Sequence, residues 1–252
     1  MSRLNGKLVV VTGAAGGIGS LLAAGLRGEG ARVIGVDQAE CTNCDESIVA
    51  DLSSETGIAA LAINLADRPV DILCNVAGVQ FFGPYERQEL AKIWRGYAVN
   101  LIAPAMLIRA VLPGMQLRGE GQIVSIGSVM GSVNYPHFAT YSSAKAGLRG
   151  LSEGLRRELH GSGIAVTYIA PRAVNTPFNS EEVRRFLTVA KMRADEPQAV
   201  VAVMVEAIVA RRKDLTVGIA ERFYSRLNGI FPRLVDAGLA PTTRKARTLF
   251  NS

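Results

Sequence analysis

The sequence "LVVVTGAAGGIG", Leu8 to Gly19, joins an apolar run to a glycine-rich turn. Its first half is a continuous apolar run, which is typical of a strand buried on both faces of a parallel sheet. Its second half carries four glycines, as a tight strand-to-helix turn requires. The helix N-terminus after such a turn offers free N–H groups and a partial positive charge to a pyrophosphate. The stretch therefore predicts a βαβ unit that binds a dinucleotide.

Strand and helix patterns alternate along the rest of the chain. Long helical patterns cover Glu86–Arg118 and Phe138–His160, and a shorter one covers Gly17–Gly28. This alternation predicts an α/β fold, a Rossmann-type doubly wound parallel sheet of about seven strands with helices on both faces. No linker divides residues 1–252, so a single domain is expected. The predicted strands are Leu8–Gly13, Arg32–Asp37, Ser47–Leu52, Val70–Gly78, Gly121–Ser128 and Gly163–Pro171.

Composition and charge exclude several classes of protein. Hydrophobic residues make up 48% of the 252 residues and charged residues 20%, which suits a large buried core. The N-terminus lacks the shape of a signal peptide, and no long apolar run is free of charge, so we expect a cytoplasmic protein. The net charge of +6 comes from scattered basic residues, which does not favour nucleic-acid binding. Cys41 and Cys44 form a C-x-x-C without a second ligand pair, so no metal site is predicted.

An acidic residue at the end of the second strand indicates which dinucleotide is bound. Asp37 lies 24 positions after Gly13. A carboxylate about 20 residues after the turn accepts hydrogen bonds from the ribose 2′-OH and repels a 2′-phosphate. No Arg or Lys lies in the turn or directly after Asp37, so the sequence favours NAD over NADP. Asp51, after the third strand, is a further candidate for the adenine side.

The segment "YSSAK" carries the candidate reacting groups. Tyr141 and Lys145 are four residues apart and share one face of a helix. A nearby ammonium favours the phenolate, so it would lower the tyrosine pKa and create an acid/base group. The spacing alone favours an ordinary surface pair. Ser128 and Asn100 favour catalysis, because Ser128 ends a strand where ligands bind and Asn100 needs a partner inside an apolar helix.

These elements together resemble the short-chain dehydrogenase/reductase family. The resemblance covers residues 7–177, about two-thirds of the chain, and the order and spacing of the motifs match. The matching elements are "TGAAGGIG", Asp51, "NVAG" (Asn75–Gly78), Asn100, Ser128 and "YSSAK".

The resemblance implies a catalytic tetrad of Asn100, Ser128, Tyr141 and Lys145. Tyr141 would donate or accept the proton, and Ser128 would orient and polarise the substrate oxygen. Lys145 would bind the nicotinamide ribose and lower the Tyr141 pKa. Asn100 would hold a water that joins Lys145 to a proton relay.

The predicted cofactor site follows the carboxyl ends of the strands. In "PRAVNTPF", Arg172 stands where the family usually has glycine. Our hypothesis is that Arg172 reaches a cofactor phosphate or an anionic substrate group, and the alternative is an arginine that points into solvent. The predicted cofactor-binding residues are Gly13, Ala15, Gly16, Gly17, Ile18, Gly19, Asp37, Asp51, Leu52, Asn75, Ala77, Gly78, Tyr141, Lys145, Pro171, Val174 and Thr176.

The substrate side is expected to be apolar. By resemblance, residues 176–197 form a lid over the substrate. The candidate lining favours a hydrophobic alcohol or ketone, such as an acyl chain, a steroid-like ring or an aryl ketone. The predicted pocket residues are Phe81, Met130, Tyr135, His137 and Phe178.

The C-terminal region departs from the family pattern. Residues 221–240 form a predicted helical extension with an apolar stripe, interrupted at Pro232. The stripe could pack on the body or on a second subunit, cover the substrate, or make peripheral membrane contact. By resemblance, a homodimer or homotetramer is expected, although the departure weakens the case for the usual tetramer interface.

The predicted function is that of an NAD-dependent oxidoreductase that interconverts a secondary alcohol and a ketone on a hydrophobic substrate. One alternative is an NADP-dependent 3-oxoacyl-type ketoreductase. Another is a catalytically silent NAD-binding sensor or scaffold. A nucleotide-sugar epimerase also uses Tyr-x-x-x-Lys, but the 75 residues after Pro177 are too few for its substrate domain.

Overall fold

The computed structural model describes residues 2–250 and contains one seven-stranded parallel sheet. The strand order is β3-β2-β1-β4-β5-β6-β7, so the order reverses between β1 and β4. This is the doubly wound α/β fold that the alternating pattern predicts. The strands are β1 Leu8–Thr12, β2 Arg32–Asp37, β3 Glu46–Val49, β4 Ile72–Asn75, β5 Gly121–Ile126, β6 Ile164–Ala170 and β7 Asp214–Thr216.

The observed strands are mostly shorter than the apolar runs that predict them. β2 has the predicted bounds, whereas β4 ends at Asn75 and not at Gly78. The chain leaves the sheet there because the backbone N–H groups of Val76 and Ala77 donate to Thr12 Oγ1, at 3.0 and 3.1 Å. The apolar run therefore continues past the strand into a loop at the carboxyl edge. The sequence patterns did not locate β7.

Nine α-helices, all within residues 2–250, surround the sheet. α1 and α7 cover one face with apolar side chains such as Leu22 and Met204. α2 and α4 cover the other with residues such as Leu61 and Leu107. The helices are α1 Gly17–Gly28, α2 Glu55–Ala66, α3 Leu90–Tyr97, α4 Ala103–Arg118, α5 Ala139–Glu158, α6 Glu181–Val189, α7 Pro197–Val209, α8 Ile219–Ile230 and α9 Pro232–Arg247.

The long helical pattern from Glu86 to Arg118 is not one regular helix. α3 and α4 are joined without a break by a π-helical segment, Ala98–Ile102. By length and composition the stretch Leu90–Arg118 could cross a membrane, but half of its most apolar window is buried. Its buried face belongs to the core of this domain, where Leu107 and Met115 are fully covered.

The C-terminal region forms a helical hairpin. α8 ends at Ile230 and α9 begins at Pro232, as the interruption at Pro232 predicts. The two helices extend beyond the predicted bounds of 221–240 on both sides. α9 buries Val235 and Ala246, whereas α8 has no buried residue.

Candidate active site

A cavity of about 490 Å³ lies at the carboxyl ends of the strands, beside the point where the strand order reverses. Open α/β sheets bind their ligands at this position. Asp51 and Asn75 are the predicted cofactor residues outside its lining, and Asn75 is buried. The predicted residues that line the cavity are Gly13, Ala15, Gly16, Gly17, Ile18, Gly19, Asp37, Leu52, Ala77, Gly78, Tyr141, Lys145, Pro171, Val174 and Thr176.

The glycine turn leaves backbone exposed to the cavity. Gly13 adopts a φ of 72°, and a Cβ on it would come within 2.8 Å of Ala77 Cα. α1 starts at Gly17, and neither a side-chain cap nor an acidic residue occupies its first turn. Its N–H groups and the positive end of its dipole are thus available to an anion. The turn fits the pyrophosphate of a dinucleotide.

Asp37 presents a fixed carboxylate at this end of the cavity. Its Oδ2 accepts from the Ala15 N–H at 3.0 Å, and its Oδ1 accepts from the Gln38 N–H at 2.7 Å. Asp51 lies outside the cavity lining, in contact with Gln38. Its carboxylate accepts from the Ser53 N–H at 2.9 Å, which is the largest cause of its lowered pKa, and from Gln38 Nε2 at 2.8 Å. Asp51 therefore positions Gln38, which lines the cavity next to Asp37.

Tyr141 and Lys145 lie on one buried stripe of α5, together with Leu148 and Ser152. Only 7% of Tyr141 and 3% of Lys145 is exposed, and both residues line the cavity. Lys145 Nζ donates to the Ile126 carbonyl at 2.9 Å and lies 5.8 Å from the centre of the Tyr141 ring. The pair is therefore not a surface pair.

Burial sets the protonation of both groups. It raises the Tyr141 pKa to about 12, although the Ser128 hydroxyl opposes the rise, and it lowers the Lys145 pKa to about 8. The sequence predicted the opposite direction for Tyr141. The difference arises because both groups lose solvation and the ammonium points at the Ile126 carbonyl. In the protein alone, Tyr141 thus keeps its proton at neutral pH, the form that can donate it.

Ser128 lies just beyond β5, where it begins a short 3₁₀ turn, Val129–Gly131. Its Oγ accepts from the Met130 N–H at 3.1 Å, which fixes the side chain against the turn. An oxygen that already accepts one hydrogen bond still carries a proton to donate. Ser128 lines the same cavity as Tyr141, so its hydroxyl can bind an oxygen there.

Asn100 lies in the π-helical segment and is fully buried. Its Nδ2 donates to the carbonyls of Val79 and Gly96, both at 2.8 Å. Its Oδ1 has no partner among residues 2–250. A Cβ on Gly78 would lie 3.0 Å from this Oδ1 and 3.7 Å from Lys145 Nζ, so both atoms border Gly78. A buried acceptor without a partner is a binding point for an ordered water.

The substrate side is lined by apolar side chains. Met130 and Phe178 line the cavity as predicted residues, and the Phe178 ring lies 6.1 Å from the Tyr141 ring. α6 and the loop after it, within residues 176–197, add three more apolar side chains to the lining. These side chains are Val183, Leu187 and Met192.

The other three predicted pocket residues lie outside the cavity lining of the described chain. Tyr135 packs edge-on against Phe186, 6.4 Å away, and His137 packs on Phe250, 4.7 Å away. Phe81 borders Gly96 on α3. The short sequence distance between His137 and Tyr141 did not predict the position of His137, because His137 adopts a positive φ of 68° in the turn before α5.

Arg172 lines the cavity and does not point freely into solvent, so that alternative is wrong; the contact with a cofactor phosphate or an anionic substrate group stays a prediction. Its guanidinium makes a bidentate ion pair with Asp195, at 2.7 and 2.5 Å, and contacts Glu221 at 3.4 Å. The carboxylates raise its pKa further. Asp195 lies near the end of residues 176–197, and Glu221 is in α8. Arg172 thus ties the predicted lid segment and α8 to the loop after β6.

Arg95 was missed as a lining residue. It comes from α3 and lies near enough to contribute to the lowered pKa of Asp51. No motif marks it, because a lone arginine in a helix is normally solvated. Gln38 is also a lining residue that was not predicted, and it was easier to infer because it directly follows Asp37.

A doubly wound parallel sheet, with a cavity lined by a glycine turn where the strand order reverses, is typical of dinucleotide-binding α/β proteins. Within that class, the chain belongs to the short-chain dehydrogenase family, whose sequence model matches residues 7–185. The resemblance that the motifs suggested is therefore confirmed, and so is the fold class.

Three relatives illustrate the range of the family. The chain is 32% identical to the ketoacyl reductase HetN of Nostoc sp. over 189 residues, covering 69% of this chain and 66% of HetN. It is 35% identical to the D-xylose 1-dehydrogenase of Caulobacter vibrioides over 190 residues, covering 69% and 74%. A structure of a Sphingobium yanoikuyae short-chain dehydrogenase with NADPH superimposes with a TM-score of 0.77 at 27% identity, covering 91% and 95%.

Proposed function

We propose that the protein is an NAD-dependent oxidoreductase that interconverts a secondary alcohol and a ketone on a hydrophobic substrate. One observation carries the proposal: the buried Tyr141–Lys145 pair and Ser128 line the same cavity as the glycine turn. Proton-transfer groups and the dinucleotide-binding backbone therefore share one enclosure.

The protein's own residues would handle the proton and the substrate oxygen. When bound, the nicotinamide cofactor supplies the hydride acceptor or donor. Ser128 Oγ donates a hydrogen bond to the substrate oxygen, and the Tyr141 phenol gives that oxygen a proton or removes one. Asn100 Oδ1 accepts from a water that returns protons towards Lys145. The raised pKa of Tyr141 favours proton donation, so oxidation requires an additional positive charge beside the phenol.

The preference for NAD rests on Asp37. Its carboxylate is held by two backbone N–H groups, so it cannot easily turn away from a 2′-phosphate. The test is Asp37→Asn, which keeps the shape and removes the charge. We expect KM for NADP to fall and KM for NAD to rise, measured by nicotinamide absorbance. A wild-type enzyme that already prefers NADP would contradict the assignment.

The second candidate is an NADP-dependent 3-oxoacyl-type ketoreductase. HetN bears the name of a ketoacyl reductase, and the Sphingobium structure contains NADPH. Arg95 also lines the cavity, and its positive charge would offset the repulsion between the Asp37 carboxylate and a 2′-phosphate. If Arg95→Gln raises KM for NADP and leaves KM for NAD unchanged, this candidate gains over the first.

The apolar lining supports a hydrophobic substrate. Met130, Phe178 and Met192 border the cavity near Tyr141, so lengthening the alkyl chain of a ketone should raise kcat/KM by a few-fold per methylene. A preference for sugars or polyols over every ketone in the panel would refute this specificity.

The role of Tyr141 has its own test. Tyr141→Phe should lower kcat by about 10²- to 10⁴-fold and leave the dissociation constant for the cofactor nearly unchanged. Tyr224→Phe, at an exposed tyrosine of α8, is the matched control. Undiminished turnover by Tyr141→Phe would exclude the mechanism, and absence of turnover by the wild type would support a sensor or scaffold.

A further inference from the structure

α8 packs on the domain with its polar side. Glu221, Ser225 and Asn228 recur at spacings of four and three residues, so they share one face of the helix. Glu221 pairs with Arg172, and Asn228 Nδ2 donates to the Ser132 carbonyl at 2.8 Å. The Ser225 hydroxyl is buried on the same side. A helix on the surface of a globular domain normally does the reverse and buries its apolar side.

The apolar side of α8 consequently faces outwards. Ile219, Phe223 and Ile230 are 88%, 63% and 70% exposed. At about 100° per residue they fall within about 40° of one another on the helix. Phe231 and Leu234, at the turn into α9, are also exposed. We call these five residues the hairpin face.

Arginines border the hairpin face. Arg222 and Arg226 lie along one flank of α8, Arg233 follows at the start of α9, and all three are exposed. Glu221 is the only carboxylate in α8, and it faces the body in its pair with Arg172. Asp236 of α9 is also exposed, so three arginines against one carboxylate leave this end of the hairpin with a net positive charge. A partner that combines an apolar interior with an anionic surface complements it.

We propose that the hairpin face binds the surface of an anionic lipid bilayer. An amphipathic helix with aromatic and aliphatic residues on one side and arginines at its border lies in the headgroup region of such a membrane. Each arginine near the surface adds attraction to anionic lipids. A second copy of this chain is a poorer partner. A two-fold interface would set the arginine rows of the two copies against each other with no carboxylate from α8 between them.

The test is co-sedimentation of the full-length protein with lipid vesicles. The vesicles contain phosphatidylcholine alone or phosphatidylcholine mixed with phosphatidylglycerol. We expect binding to the anionic vesicles that weakens in high salt. The triple variant Arg222→Gln, Arg226→Gln, Arg233→Gln should lose about fivefold in partition coefficient per arginine.

In the triple variant Ile219→Ser, Phe223→Ser, Ile230→Ser, the partition coefficient for anionic vesicles should fall at least about tenfold. The matched control is Ile63→Ser with Leu117→Ser, since these residues are 71% and 91% exposed on α2 and α4. It should bind vesicles like the wild type. Circular dichroism and cofactor titration establish that each variant is folded, independently of any turnover.

Two results would overturn the proposal. One is wild-type protein that stays in the supernatant with anionic vesicles. The other is equal loss of binding in the control and in the Ile219/Phe223/Ile230 variant. Light scattering distinguishes a second copy as the partner: a drop in molar mass on substitution of the hairpin face, without any vesicle binding, would assign the face to self-association. Failure of the proposed enzymatic function would leave vesicle binding unaffected, so the two proposals fail separately.

Discussion

We expect the buried ammonium of Lys145 to lower the free energy of unfolding of the protein. Burial lowers its pKa from 10.5 to about 8. At about 1.4 kcal/mol per pKa unit, holding the ammonium in the folded protein at pH 7 costs about 3 kcal/mol. Lys145→Met keeps an unbranched chain and removes the charge, but it also loses the 2.9 Å hydrogen bond to Ile126, worth about 1 kcal/mol. The variant should therefore be about 2 kcal/mol more stable than the wild type and inactive.

The pH dependence of this gain identifies its cause. Because the folded pKa lies below the unfolded one, both states carry the proton below about pH 8 and the cost of burial is complete there. Between about pH 8 and about pH 10.5 the folded wild type loses its proton, so its stability rises with pH relative to the variant. Ionisation of Tyr141, whose pKa is raised to about 12, destabilises both proteins alike at higher pH.

Urea unfolding of the cofactor-free protein measures the effect. We expect the difference in free energy of unfolding between Lys145→Met and the wild type to shrink steadily as the pH rises from about 7 to about 10. Lys213→Met, at an exposed lysine, should show no such trend. A stability gain that is independent of pH, or a variant less stable than the wild type at pH 7, would refute the reasoning.

Three other substitutions test separate contacts. Gly78→Ala places a methyl group 3.0 Å from Asn100 Oδ1, so kcat should fall at least tenfold while thermal unfolding is little changed; full activity would contradict the proposed water position. Gly127→Ala drives a methyl group into the Tyr168 ring and should cost about 1–3 kcal/mol in urea unfolding, whereas neutrality would show that the ring can move. Arg172→Ala removes the side-chain link between the loop after β6 and Asp195, so KM for substrate should rise more than KM for cofactor; equal changes in both would contradict a role of this link in substrate binding.

Local patterns predicted most of the sheet and the centre of the site. The β2 bounds and the turn from Gly13 to Gly19 follow from apolar runs and glycine chemistry, which need no distant contact. The C-terminal half of β4 did not follow, because Thr12, on another strand, draws Val76 and Ala77 out of the sheet. Strand ends of this kind depend on a neighbour that the local pattern does not contain.

Long-range contacts also account for what was missed near the site. The partner of Arg172 lies 23 residues further along the chain, and no spacing rule joins it to Asp195. The raised Tyr141 pKa could not be predicted from the Tyr–Lys spacing, because the outcome depends on how deeply both groups are buried. Their common helix face, by contrast, follows directly from helical periodicity.

The π-helical segment has a consequence for how this chain can vary in length. A π turn holds one residue more than an α turn, so α3 and α4 meet with their faces out of phase by about 100°. Removing residue 101 or 102 would restore regular α-helix and rotate Asn100 and the residues before it away from Gly78. A residue of this segment whose side chain makes few contacts could therefore be substituted but not deleted. The active site thus depends on the number of residues in this helix as well as on the amide side chain at position 100.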